Sequence, residues 1–307
     1  MQNFIESIIF AFKNLSNKTT IKYSMSSGIV IGILWGIIGI FLWPHLVDFS
    51  SFLIAILPFS IIRSNGALML STFIWIQIIL ITFAFIFIFS NELFLEKLKK
   101  RYIKYSIKYS ITISIFLSIL WGVVWFNNGD LIYKQFLKLL NYLPFEMVEK
   151  GLAYLISFYI IYTFIIITNI FISSVFSYNF LEEIQDKYFP FDEAHTNLEY
   201  KTIKKTTLDT IIFLSLSIIL FPLLFIPLLN LIILLFLWNW LMKDTIIFDV
   251  MTFIYGKIDK DIISQNKYQF VGITFIGSLF NFIPIFNLFA PYFTQLAIYY
   301  YLKNKEG

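Results

Sequence analysis

FIPLLNL at residues 225–231 and FIPIFNL at residues 282–288 are one phrase written twice, each time inside a long apolar run. The first lies within residues 211–242, which carry no formal charge. As one straight helix those residues would span about 48 Å, well beyond the ~30 Å of a bilayer's hydrocarbon. Pro222 and Pro227 interrupt the run, and each removes a backbone donor. Pro227 also disfavours helical geometry at Ile226, which predicts a helix ending just before it and a turn through Pro227 to Asn230. A turn inside hydrocarbon frees carbonyl and amide groups that cost several kcal/mol each if left bare. The Asn230 side chain can cap the first amides of the returning helix and donate to the freed carbonyls. Pro284 and Asn287 repeat the device. Each phrase therefore predicts a helical hairpin that reverses at a proline beside a carboxamide.

The composition agrees with a membrane setting. Of 307 residues, 59% are hydrophobic and 14% charged, with a mean hydropathy of +0.79, against roughly 45–50% apolar residues in soluble domains. The chain has no cysteine, which excludes disulfides, thiolate metal sites and a cysteine nucleophile. Its two histidines, His45 and His195, fall in connections on opposite predicted sides of the membrane and cannot share a metal. No metal or cofactor is expected, and no group of His, Asp and Glu faces one depth as a membrane enzyme would require. The net charge of +4 is small, and the lysines sit between apolar runs, so nucleic-acid binding is unsupported. The leading stretch MQNFIESIIFAFKNLSN carries Glu6, a short apolar run and no A-x-A-like site, so it is not expected to be cleaved. Its Phe4, Ile5, Ile8, Ile9 and Phe12 share one face, which predicts a helix lying flat among lipid headgroups.

Residues 25–43, 66–90, 109–126 and 151–176 hold no Lys, Arg, Asp or Glu and are long enough to cross a bilayer. Residues 1–24, 91–108, 177–207, 242–268 and the tail hold nineteen of the 23 Lys and Arg, which predicts both termini on the cytoplasmic side. The connections flanking each late apolar block are all basic, so each block must enter and return. Only about a dozen apolar residues separate Asn230 from Lys243, short for a crossing, which favours a tip near mid-depth; full crossing stays open. Re-entrant backbone needs cover from protein or water, and paired proline-interrupted segments point to a binding site in transporters.

The first half of the chain also repeats, in a single ungapped register. IKYS at 21–24 meets IKYS at 107–110, Trp35-Gly36 meets Trp121-Gly122, and Leu57-Pro58-Phe59 meets Leu143-Pro144-Phe145. Thr82 then meets Thr168, and FLEKLKKRY at 94–102 meets FLEEIQDKY at 180–188. Residues 1–102 and 103–190 thus read as tandem copies of one unit, followed by a paired hairpin region at 191–307. Small residues four apart, Gly28, Gly32 and Gly36 in one copy and Ser114, Ser118 and Gly122 in the other, predict helix-packing seams. Between the spans of each copy lie outer stretches, 44–57 and 131–143. In the second, Lys134 and Lys138 mark the polar face of an in-plane helix that Pro144 would end.

Within the spans the polar groups are uncharged: Gln77, Thr82, Thr168 and Asn169, with Asn239, Asn281 and Gln295 in the late blocks. The lack of an acid or base at mid-membrane argues against a proton-driven pump. Asp244 and Asp249 are expected as interfacial acids pairing with Lys243 or Lys257. Trp43, Trp125 and Trp240 fit interfacial belts.

The late sequence, from FIPLLN through WNWLMKDTIIFDV to KYQFVGITFIGSLFNFIPIFNLFAPYFTQLAIYYYL, resembles the sulfate permease CysZ and its relatives in the etoposide-induced-protein family. Phe270-Val271-Gly272 leading to Ile283-Pro284-Ile285-Phe286-Asn287-Leu288-Phe289-Ala290-Pro291 carries most of the likeness, and SVFSYNFLEEI at 174–184 resembles the family's segment after its second span. The resemblance covers about 107–302 and leaves 21–102 as an added copy. It implies two full spans, two partly penetrating hairpins, an oligomer, and passage of sulfate across the bacterial inner membrane. At the entrance of its first span the family carries a Gly-Leu/Ile-Arg stretch taken to bind sulfate. Here lysines stand instead, so Lys18, Lys22, Lys104 and Lys108 are the candidates for attracting the anion, aided by free amides at helix amino termini.

The sequence thus reads as an all-α membrane protein. It has four transmembrane helices in two tandem copies, two Pro-Asn re-entrant hairpins and interfacial amphipathic helices. The expected activity is passage of a small oxyanion such as sulfate by a homo-oligomer, without ATP hydrolysis and without enzymatic chemistry. A non-transporting membrane scaffold of the same fold is the alternative.

Overall fold

The computed structural model describes residues 2–55, 145–190, 199–220, 229–283 and 285–306, together with Leu223 and scattered positions between 67 and 138. All regular structure among them is helical: α1 (Gln2–Asn14), α2 (Lys18–Ala55), α3 (Phe145–Val175), α4 (Ser177–Tyr188), α5 (Glu199–Ile219), α6 (Leu229–Tyr255), α7 (Lys260–Gln265), α8 (Lys267–Leu279) and α9 (Ala290–Glu306). Two 3₁₀ turns, Phe280–Phe282 and Phe286–Phe289, lie between α8 and α9. The chain forms two compact units, one of residues 1–48 with 155–307 and one of residues 49–154.

Among the described residues, three stretches are long and apolar enough to cross a membrane: Lys18–Ala55, Lys150–Val175 and Leu229–Tyr255. The first and second contain the predicted spans 25–43 and, but for its last residue, 151–176. Spans 66–90 and 109–126 fall largely outside the described residues. Helix α2 continues for 38 residues through Pro44, so positions 44–55 prolong the first span as one helix. An internal proline costs one main-chain hydrogen bond and bends a helix, yet good apolar helix formers on both sides can carry it onward.

Helix α6 differs from expectation at its far end. Instead of stopping at Lys243 it runs 27 residues to Tyr255, about 40 Å. Lys243 and Asp244 pair with each other at 3.1 Å, and the sequence beyond them turns apolar again, burying Ile246, Ile247, Val250, Met251, Phe253 and Ile254. The helix ends where Gly256 takes φ 65°, the left-handed conformation that glycine adopts without a Cβ penalty.

Both phrases coincide with breaks between packed helices. Helix α5 ends at Ile219, ahead of Pro222, earlier than the expected stop before Pro227. A proline at 222 cannot donate to the carbonyl of residue 218, so the first of the two prolines already interrupts the ladder. The Leu223 amide instead reaches the Leu220 carbonyl at 3.0 Å. Helix α6 starts at Leu229 and packs back on α5, which places Asn230 in its first turn. At the second phrase α8 yields to the 3₁₀ turns and α9 packs back on α8. Pro222, Pro227 and Pro284 lie outside the described residues. Between the two turns Ile285 holds φ 74°, ψ −48°, a region that β-branched residues rarely enter.

The core of the larger unit gathers α6 and α9 with parts of α3 and α4, around Trp238, Met242, Ile170, Phe180, Tyr292 and Tyr299. Buried residues of α4 recur at three- and four-residue spacing, Phe180, Leu181 and Ile184, and leave its acids outward. Helix α1 lies on α9, with Phe10 stacked on Tyr300 at 4.1 Å and Phe12 against Phe293 at 4.8 Å. Of the face predicted to lie among headgroups, Phe4, Ile8 and Phe12 pack onto this core, whereas Ile5 stays exposed. In the smaller unit residues 126–135 are helical, Lys134 pairs with Asp130 at 2.9 Å, and Ala67 is buried against Tyr133, Leu137 and Leu152.

Candidate functional site

The second phrase sits where α2, α3 and α9 meet. Helix α3 carries Tyr162, Asn169 and Ser173 along one face, at spacings of seven and four. Tyr162 Oη donates to the Asn281 carbonyl at 2.7 Å, and Asn169 Nδ2 donates to the Asn287 carbonyl at 2.7 Å. Gln295 Nε2, from α9, donates to the Ser173 carbonyl at 3.3 Å. Carbonyls freed by the reversal therefore receive donors from a neighbouring helix, each bond worth about 1 kcal/mol net and its loss about 1–3 kcal/mol. Asn281 and Asn287 are both buried, and the Asn287 amide bonds to the Ile283 carbonyl at 3.0 Å. Asn169 Oδ1 and Gln295 Oε1 are buried with no hydrogen-bond partner among the described residues.

Helix α2 approaches the same turn through its small residues. A methyl group at Gly28 would lie 2.7 Å from Leu288 Cδ1, and Ser27 and Tyr292 share a hydroxyl hydrogen bond of 2.6 Å. Two turns further along, Trp35 stacks on Phe164 at 5.5 Å and donates to Thr168 Oγ1 at 3.0 Å. At Gly32 and Gly36 no described atom lies within 4 Å of a Cβ position. Ser114, Ser118 and Gly122 are outside the described residues.

The entrance lysines divide. Lys18 is exposed at the first residue of α2. Lys22 contacts Glu183 of α4 at 2.6 Å, and Tyr23 donates to the same carboxylate at 2.9 Å. The Lys22 hydrogen bond, assisted by Tyr23, holds the Glu183 carboxyl below its usual range against a partial desolvation that works the other way. Further along α4, Lys187 donates to Asn17 Oδ1 at 3.1 Å and Tyr188 to Asn14 Oδ1 at 2.6 Å. Helix α4 thereby straps the corner between α1 and α2. Lys104 and Lys108 lie outside the described residues.

A second polar group, unforeseen from sequence, joins α3, α5 and α6. Ser174 donates to Asp249 Oδ1 at 3.0 Å and shares a 2.9 Å hydrogen bond with Thr206. Asp209 is paired with Lys205. Of the two acids expected to meet interfacial lysines, Asp244 does so through Lys243, whereas Asp249 is 3% exposed and meets a serine. The partners come from three distant segments, and what is visible locally is confined to placements on one helix, Thr245 with Asp249 on α6 and Lys205 and Thr206 with Asp209 on α5.

No curated protein and no solved structure matches the chain. The family model described as sulfate transporter CysZ/etoposide-induced protein 2.4 matches residues 7–291, so it takes in residues 21–102, which the sequence resemblance had left out. With nearly the whole chain inside that match, the protein belongs to the sulfate transporter CysZ/etoposide-induced protein 2.4 family.

Proposed function

We propose that the protein passes a small oxyanion, sulfate foremost, across the bacterial inner membrane without ATP hydrolysis. It would act as a homo-oligomer with both termini cytoplasmic. Family membership over residues 7–291 is the observation that carries this reading. In support, the helices break at both phrases, and the second break is lined by carboxamides and hydroxyls in an otherwise apolar setting.

In this reading Lys18, Lys22, Lys104 and Lys108 draw the anion to the span entrances, and Pro227, Asn230, Pro284 and Asn287 shape re-entrant tips at the narrow part of the route. An anion arriving at Lys22 competes with the Glu183 carboxylate, so that lysine attracts weakly unless α4 shifts. Gly28, Gly32, Gly36, Ser114, Ser118 and Gly122 serve helix packing within or between subunits. The exposed Ile29, Ile33, Ile37 and Phe41 of α2 suit contact with lipid or a second copy.

Radiolabelled sulfate uptake into proteoliposomes tests the reading. Saturable uptake above protein-free vesicles, reduced by competing oxyanions, is the expected result. Uptake equal to that of empty vesicles, with no competition, would leave a membrane scaffold in its place.

A further inference from the structure

The acid-bearing cluster on α3, α5 and α6 has no part in the proposed route. On α6, Thr245 and Asp249 stand one turn apart and share a face; on α5, Thr206 and Asp209 do the same. Ser174 lies between them, bonded to both Asp249 and Thr206. Ser174 is 4% exposed and the other four no more than 3%. Lys205 neutralises Asp209. Asp249 accepts from the Ser174 hydroxyl and, among the described residues, has no ion-pair partner.

Three oxygens of the cluster have no hydrogen-bond partner among the described residues: Asp209 Oδ2, Asp249 Oδ2 and Thr245 Oγ1. A buried carboxylate oxygen in that condition is costly, and native interiors rarely tolerate it. The Thr245 hydroxyl is evidence of a separate kind. A buried helical threonine commonly bonds back to its own helix, as Thr252 does to the Phe248 carbonyl at 2.8 Å, and Thr245 does not. Oxygens alone, with no imidazole or thiolate, suit a hard cation. Charge then selects the valence: with both carboxylates ionised, Asp209, Asp249 and Lys205 together carry one negative charge, which a single positive charge balances and a divalent ion would overshoot.

We infer that Asp249, Asp209 and Thr245, backed by Ser174 and Thr206, form a binding site for one small monovalent metal cation, sodium foremost, at the junction of α3, α5 and α6. A cation held there ties the two helices flanking the first phrase to the end of α3.

Thermal unfolding of the full chain in detergent, at fixed pH and ionic strength, tests the site with sodium chloride exchanged for choline chloride. The Tm should rise saturably as sodium replaces choline. Asp249→Asn and, separately, Thr245→Val should each weaken half-saturation by at least about tenfold. Thr245→Val keeps shape and charge, so it serves if Asp249→Asn does not fold. Equal Tm in the two salts overturns the site, as does unchanged sodium dependence in Thr245→Val. A Tm that responds to pH and not to sodium also overturns it, assigning the balancing charge to a proton. Sulfate enters none of these measurements, so their outcome is independent of the uptake assay.

Discussion

Asn169 Nδ2 lies 2.7 Å from the main-chain oxygen of Asn287, which fastens the middle of α3 to the reversal between α8 and α9. Both residues are buried, and no water can replace the donor without opening the packing. Asn169→Leu retains the volume and deletes the donor, so it should lower stability by about 1–3 kcal/mol. Tyr162→Phe, which deletes the neighbouring donor to Asn281, should cost about 1 kcal/mol. Thermal unfolding in detergent measures both, and a Tm for Asn169→Leu equal to that of the parent would sink the idea that α3 holds the turn.

Gly277 and Gly28 are both contact glycines, but their neighbours differ in freedom. A methyl group at Gly277 would collide with Thr294 Oγ1, which is anchored to the Ala290 carbonyl at 2.8 Å. At Gly28 it would meet only the tip of the Leu288 side chain, which can swing aside. Gly277→Ala should therefore destabilise by about 1–3 kcal/mol and Gly28→Ala by less. Adding Thr294→Ala should recover much of the loss at Gly277, a coupling that a double-mutant cycle reads directly. Additive effects of the two changes would show that α8 and α9 do not press on each other there.

Much of the architecture was legible because proline and charge act locally. The two FIPxxNL phrases announced helix breaks through the missing donor of a proline, and breaks between packed helices are found at both. The placement of the first was less legible, since α5 already ends at Ile219, well ahead of Pro227. Lys243 and Asp244 looked like an exit from the apolar layer, yet adjacent opposite charges neutralise each other and α6 continues past them. Asp249 was read as interfacial for the same reason. Its burial depends on Ser174 and, through it, Thr206, contributed by separate helices, and such pairings leave no trace in local periodicity. The donors for the second turn were half visible: Asn169 stood out as a polar residue in a span, whereas its partner carbonyl carries no sequence signal at all.

Ile285 offers a test in the opposite direction, a substitution that stabilises. Its φ of 74° places a β-branched side chain in left-handed backbone, at an order of 1–3 kcal/mol of strain. The side chain is 69% exposed, so little burial is lost with it. Ile285→Gly removes the Cβ conflict and should raise stability by about 1 kcal/mol, even after the greater freedom of glycine in the unfolded chain. Ile285→Val keeps the branch and should leave the Tm where it was. If glycine lowers the Tm, the turn is held by the isoleucine side chain and the strain argument fails.

The contact between Lys22 and Glu183 makes a prediction in pH. The Glu183 carboxyl is held below its usual range in the folded protein, so folding favours its ionised form. Its contribution is fully present above the unfolded value of about 4.3 and is lost as the pH falls through the lower folded value. Lys22→Met removes the cation and keeps most of the stem. The stability difference between parent and variant should therefore be constant from neutral pH down to about 5 and shrink on further acidification. Because the Lys22 and Glu183 side chains are 57% and 38% exposed, the difference should not exceed about 1 kcal/mol and should fade in roughly 1 M salt. Urea unfolding at several pH values measures it. A gap that widens on acidification would reverse the sign and show that the ionised carboxylate is not the form favoured by the strap between α4 and α2.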